Sequence, residues 1–205
     1  MSSVLLRGYA LGFAIAAAPG PIFFLCLRRT LVKGWLNGLF SGLGVATADG
    51  FYAALGVFGV GAIATVLTGE RRWLALGGGV LLVALGARII FDRPKRTDPA
   101  SGNGAGLAWA YLSTLGLTIT NPATIISFAA LAATLGAGIS GGYLRPSLLV
   151  VGVLLGSASW WCVLAGLAAG LRARITPRVV RGISTASGLA IIALGLAAVV
   201  SALCA

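Results

Sequence analysis

The 205-residue chain contains no histidine, four acidic residues, three cysteines and one methionine. Without histidine or paired cysteines, a zinc or transition-metal site has almost no ligands to draw on. Cys26, Cys162 and Cys204 form no CxxC pair and lie within or at the end of apolar runs, which fits small apolar packing residues. The same shortage leaves no nucleophile–base pair in view, so an enzyme is the weakest functional class, and no cofactor is expected. Charge of one sign is also scarce. The four acids stand against 15 Lys and Arg, giving a formal net charge of +11 and a pI near 11.1. The basic residues sit in short clusters between apolar runs, a pattern suited to loops facing anionic lipid and not to a nucleic-acid-binding face. The chain is 59% hydrophobic with a mean hydropathy of +1.02, leaving too little polar sequence for a soluble surface. A single transmembrane domain over residues 1–205 follows.

A helix crosses the ~30 Å hydrocarbon core with about 20 residues. Residues 8–27 carry no charge and suffice for one span. The first 20 residues share features with a signal peptide, but the apolar character continues past Ala16-Ala17-Ala18 to Leu27, which fits a span better. Further spans are expected from about Trp35 to Val60, Trp73 to Phe91, Leu107 to Leu135, Ser147 to Leu171 and Val179 to Leu203. The fold class is therefore an all-α membrane protein with six transmembrane helices. Residues 1–91 form one three-helix half, residues 92–106 a basic cytoplasmic loop, and residues 107–205 the second half. One side of the bilayer receives Arg28, Arg29, Lys33, Arg88, Arg93, Lys95, Arg96, Arg172, Arg174, Arg178 and Arg181, the other Arg7, Arg71, Arg72 and Arg145. The positive-inside rule then places both termini outside, in a multi-pass protein.

The most informative stretch is Pro19-Gly20-Pro21 inside the first run. Proline removes a backbone donor and clashes with the carbonyl one turn back, so this span is expected to break. A break at membrane depth is tolerated where protein or a cavity satisfies the freed groups. Asn121-Pro122 marks a second break or bend at the corresponding place in the other half. Leu11-Gly12 and Leu115-Gly116 precede the two breaks. Gly44 leads into Thr47-Ala48-Asp49, as Gly156 leads into Ser157-Ala158-Ser159, and Ala84-Leu85-Gly86 echoes Ala193-Leu194-Gly195. Three spans per repeat force the halves into opposite orientations, and interrupted helices at matching positions of inverted halves point to a transport site. The Gly-x3-Gly patterns at 8/12, 34/38/42, 152/156 and 166/170 are expected to pack helices, within the chain or between two copies of it as a homodimer.

Of the four acids, Glu70, Asp92 and Asp98 fall in expected loops, leaving Asp49 at membrane depth. An Asp at a helix centre costs about 2.5–3.5 kcal/mol on insertion scales, so it is a functional candidate by default, as a proton-coupling or ammonium-binding group. The structural alternative is a protonated carboxyl that bonds a neighbouring helix. Tyr52, at i+3 from Asp49, is placed to hydrogen-bond near it or to pack. Around the second break, Thr118, Thr120, Asn121, Thr124 and Ser127 form a polar cluster. Their side chains can satisfy carbonyls freed by Pro122 or, with the exposed backbone, bind a zwitterion. Trp160 and Trp161 read as packing or interface residues.

These residues resemble the LysE-type amino-acid exporters, also called the lysine exporter or homoserine/threonine resistance family. The likeness spans nearly the whole chain and rests on Gly12 through Pro19-Gly20-Pro21, the basic segment leading to Gly34 and the Gly38–Gly42 helix, Asp49, and Asn121-Pro122. The resemblance implies a bacterial inner-membrane exporter of amino acids or related small metabolites, driven by the proton gradient. Pro19, Gly20, Pro21, Asp49, Tyr52, Thr120, Asn121 and Pro122 are the substrate-site candidates, and no metal is expected. Family members commonly carry Asn after Pro-Gly-Pro where this chain has Ile22. The repeat layout is also similar to that of membrane thiol-electron carriers, but residues 107–135 contain no cysteine to match Cys26. The competing readings are a metal-cation exporter, with a lone carboxylate and carbonyls as ligands, and a non-transporting membrane scaffold.

Overall fold

The computed structural model describes residues 2–58, 71–91, 104–121, 124, 125, 127, 128, 143–172 and 176–204. Among these residues the helices are α1 (Ser2–Ala17), α2 (Pro21–Lys33), α3 (Trp35–Val57), α4 (Arg71–Phe91), α5 (Gly104–Ile119), α6 (Leu144–Arg172) and α7 (Pro177–Cys204), with no strand. The expected loop segments holding Glu70, Asp92 and Asp98 lie outside the described residues.

The chain's own punctuation sets these helices. α1 stops one residue before Ala18-Pro19, and α2 restarts with Pro21 in its first turn, where the missing N–H costs no intrahelical bond. The two axes differ by 78°. Gly34 ends α2 at φ 96°, a positive φ that no other described residue adopts, so glycine's freedom is required there. One expectation changes as a result. The sequence places Arg28, Arg29 and Lys33 in a basic segment between two spans, yet all three belong to α2. The break restarts the helix at Pro21, and nothing stops it before Gly34. α5 also begins three residues before its expected start at Leu107.

Packing relies on backbone approaching backbone. α1 crosses α6 and α4 crosses α7 along long interfaces, while α3 packs on α5 and α6. A Cβ added at Gly8 or Gly12 would collide with the backbone of Leu149 or Val153. One added at Gly152 or Gly156 would collide with the carbonyls of Leu5 or Tyr9. The α4–α7 crossing repeats the device, with a Cβ on Gly79 falling 2.7 Å from the Gly195 carbonyl and the reverse also 2.7 Å. Gly38 and Gly42 fit against Thr30 and Trp161, so these glycines pack helices within the chain. Gly166 and Gly170 meet nothing within 4 Å.

Polarity is distributed in the reverse of a soluble fold. Leu6, Trp73, Phe91, Trp109, Leu167 and Leu203 are exposed, whereas Ser41, Asp49, Thr114, Thr118 and Ser157 are buried. An apolar exterior over a polar-seamed interior suits a lipid solvent. Leu144–Leu171 is long and apolar enough to cross a bilayer alone, and α1 with α2 qualifies as one bent pair.

Candidate functional site

Where α1 and α2 part, they leave a cavity of about 170 Å³. Its wall is Ala18, Pro19, Gly20 and Pro21 of the break, Ile22 and Phe23 at the start of α2, Val45 and Asp49 of α3, Asn121, Thr124 and Ser127 around the second break, and Trp161 of α6. Among the described residues that line it there is no lysine or arginine.

Breaking a helix exposes opposite partial charges at its two new ends. Ala16 and Ala18 bring the carbonyl end of α1 to the wall, and α2 brings its N–H end. The first backbone bond of α2 runs from the Phe24 N–H to the Gly20 carbonyl at 3.3 Å, so the amides of Ile22 and Phe23 precede the helical ladder. Gly20, as N-cap, has no side chain to cover them. The cavity therefore has a donor-rich end suited to a carboxylate.

Asp49 supplies the opposite character. It is 2% exposed, and its Oδ2 accepts a 2.7 Å hydrogen bond from the Ser157 hydroxyl, itself fully buried on α6. That bond joins α3 to α6 and orients the carboxyl within the wall. A hydrogen bond to a charged acceptor contributes about 1.5–3 kcal/mol, so Ser157 offsets part of the cost of keeping Asp49 at this depth.

Of the substrate-site candidates named from the sequence, Pro19, Gly20, Pro21, Asp49 and Asn121 converge on one cavity, joined by Thr124 and Ser127 of the polar cluster. Thr120 and Tyr52 stand outside its lining. The Thr120 hydroxyl donates to its own helix at the Gly116 carbonyl, 2.9 Å away. Tyr52 is buried with its hydroxyl donating to the Ile119 carbonyl and its ring stacked on Phe128 at 5.9 Å. Both therefore bond backbone carbonyls near the second break. Pro122 lies outside the described residues, while the N–H of Asn121 donates to the Thr118 carbonyl at 3.2 Å.

Ser157 and Trp161 were not anticipated at the site. The one signal was positional, since both lie in the segment that aligns with Asp49 between the halves. Gly20 also acquires a different role. Its φ of −142° and ψ of −175° are extended backbone open to any residue, and an added Cβ would meet nothing within 4 Å. Gly20→Ala is expected to fold with stability unchanged or raised by about 0.4–1 kcal/mol, as for glycine replacement at a compatible backbone. Its methyl narrows the cavity, so the half-saturating concentration for transport rises. Thermal unfolding in detergent beside a transport assay checks both, and a lower melting temperature contradicts the backbone argument.

An all-helical protein with an apolar exterior, and a small, largely apolar cavity at a broken helix that carries Asp49, Asn121, Thr124 and Ser127 in its wall, is built as a membrane translocator. The chain belongs to the family described as LysE type translocator, which it matches over residues 13–202. It is similar to the "Putative amino acid efflux protein YcgF" of Bacillus subtilis (strain 168), at 22% identity over 94% of this chain and 93% of the relative. The "Chemotactic transduction protein ChpE" of Pseudomonas aeruginosa is 28% identical over 84% of this chain and 85% of its own. The "Uncharacterized membrane protein YahN" of Escherichia coli (strain K12) is 34% identical over a shorter stretch, 32% of this chain and 29% of its own. No solved structure matches the chain.

Proposed function

We propose that this protein exports small amino acids or amino-acid-like metabolites across the bacterial inner membrane, coupled to the proton gradient. The observation that carries this reading is the meeting of both helix breaks and Asp49 on one cavity. A zwitterion fits the polarity of that wall, with its carboxylate at the α2 amides of Ile22 and Phe23 and its ammonium at Asp49. The volume, about 170 Å³, falls below the ~300–1,000 Å³ typical of drug-sized pockets, which favours a small metabolite. Asp49 also takes the proton in this scheme, releasing the ammonium as it becomes neutral. The name of the Bacillus relative supports amino-acid efflux as the class of transport.

Alternating access between two inverted halves of three spans each is the proposed mechanism. An exchange of contacts supports it. Gly44 of α3 lies against the Tyr111 carbonyl of α5, and Gly156 of α6 lies against the Tyr9 carbonyl of α1. Tyr9 and Tyr111 each stand ten residues ahead of their break, at Pro19 and Asn121, and Gly44 and Gly156 match in the second helices. The termini are proposed to lie outside. With Arg29 removed to the interior, the basic residues assigned to the two sides number ten and four. Reporter fusions at the C-terminus are expected to signal outside the cytoplasm; a cytoplasmic signal reverses the orientation.

Everted vesicles, whose outer face is cytoplasmic, test the function. With a proton gradient imposed, vesicles containing the protein are expected to accumulate at least one of the twenty radiolabelled L-amino acids about tenfold over control vesicles, a difference abolished by an uncoupler. Accumulation that survives the uncoupler removes proton coupling. Accumulation of none removes the amino-acid assignment.

A further inference from the structure

One to two helical turns from the cavity lies a second polar cluster, centred on a cation. Arg29 of α2 is 8% exposed. Its Nη1 donates to the Ser41 hydroxyl of α3 and the Ala110 carbonyl of α5, and its Nη2 to the Ser113 hydroxyl of α5, each at 2.9 Å. Every one of those acceptors is neutral. The described residues contain a single carboxylate, Asp49, and it lies eight residues along α3 from Ser41, ~12 Å at the helical rise. Arg29 is likewise eight residues from Pro21, and Ser113 eight residues from Asn121. The cluster is thus one layer at a common depth across α2, α3 and α5, the last of which leads into Asn121 of the cavity wall. It lies between the cavity and the α2–α3 turn at Gly34.

Among the described residues Arg29 meets no counter-charge; burying a guanidinium in that way is costly, and a cation held by neutral oxygens binds an arriving carboxylate in preference to them. Arginine is suited to this exchange, since its planar fork matches a carboxylate bidentately. From these facts, and resting on the export reading above, we infer that Arg29 is a second binding site, an entry station for the carboxylate of the substrate. The carboxylate takes the guanidinium from Ser41, Ala110 and Ser113. Because those three acceptors tie α2 to α3 and α5, their release parts the layer that closes the cavity on this side. The substrate then passes to the α2 amides and Asp49.

Everted vesicles and the twenty radiolabelled L-amino acids provide the test, with the half-saturating concentration as readout. Arg29→Gln keeps hydrogen-bonding capacity and loses the charge, and is expected to raise that concentration at least tenfold for the exported amino acid. Arg29→Lys, which keeps the charge but loses the bidentate fork, is expected to fall between wild type and Arg29→Gln. An unchanged value in Arg29→Gln removes the station while leaving the export reading intact; a wild-type protein that exports no amino acid removes both. An Asp92→Asn, Asp98→Asn double variant that reproduces the Arg29→Gln effect also overturns the station, because the partner would then be a carboxylate of the protein. If Arg29→Gln does not fold, Ser113→Ala carries the test. Removing a competing acceptor is expected to lower the half-saturating concentration at least twofold, and an unchanged or higher value contradicts the proposal.

Discussion

Asp49→Asn is expected to fold, to reach the membrane, and to lose gradient-driven export by at least ~100-fold, equivalent to about 2.7 kcal/mol. Folding is preserved because Asn has the shape of Asp, and its side-chain oxygen can accept the Ser157 hydroxyl that Oδ2 accepts at 2.7 Å. What it lacks is the ability to carry charge and to exchange a proton. In the proposed scheme the carboxylate is both the partner of the substrate ammonium and the group that protonation neutralises, so one substitution removes both steps. Asp49→Glu separates them. It keeps the chemistry but pushes the carboxyl a methylene further into a cavity of about 170 Å³, and is expected to retain export at a reduced rate. Proton-driven uptake into everted vesicles measures all three proteins. Full gradient-driven export by Asp49→Asn sinks the role assigned to the carboxyl. Loss of export in Asp49→Asn with retained exchange of internal for external amino acid confines Asp49 to proton coupling.

The contrast between Asp49 and Arg29 explains which parts of the site are legible in the sequence. Asp49 stands in a long run with no other charge, so its depth is evident from composition, and the cost of burying it marks it as special. Arg29 has the opposite surroundings. Beside Arg28 and near Lys33 it looks like one more loop cation, and only the restart of α2 at Pro21 carries it inside. Periodicity cannot reveal this, because the information lies in a 78° change of axis and not in the residue pattern. The helix breaks themselves are plainly written, since proline and glycine act through local chemistry. Ser157 is the reverse case. A serine in an apolar helix is ordinary, and its partner lies 108 residues away, so nothing local distinguishes it from Ser159, whose hydroxyl simply returns to the Leu155 carbonyl. The glycine patterns divide in the same way. Spacing marks 152/156 and 166/170 alike as packing faces, yet the first pair meets α1 and the second meets open space.

That division gives the largest expected effect on folding. Gly12→Val and Gly156→Val are each expected to destabilise the protein by more than ~3 kcal/mol, beyond the usual cost of core overpacking, whereas Gly166→Val is expected to be nearly neutral. The difference lies in what each new Cβ meets. At Gly12 it would come within 2.7 Å of the Cα and carbonyl carbon of Val153, and at Gly156 within 2.8 Å of the Phe13 amide nitrogen. These are backbone atoms of the facing helix, which cannot rotate aside as a side chain can, so the helices must separate. Separation costs more than local packing. Asp49 is tied to α6 through Ser157, and α1 supplies one rim of the break, so moving α6 away from α1 also opens the cavity wall. Gly166 is exposed, has nothing within 4 Å, and faces outward beside Val163 and Leu167. Valine there adds apolar area to a lipid-facing surface. Thermal unfolding in detergent and the monodisperse fraction after extraction rank the three variants. If Gly166→Val is as damaging as Gly12→Val, that face is covered by another copy of the chain; if Gly12→Val is neutral, the α1–α6 crossing is looser than its glycine contacts require.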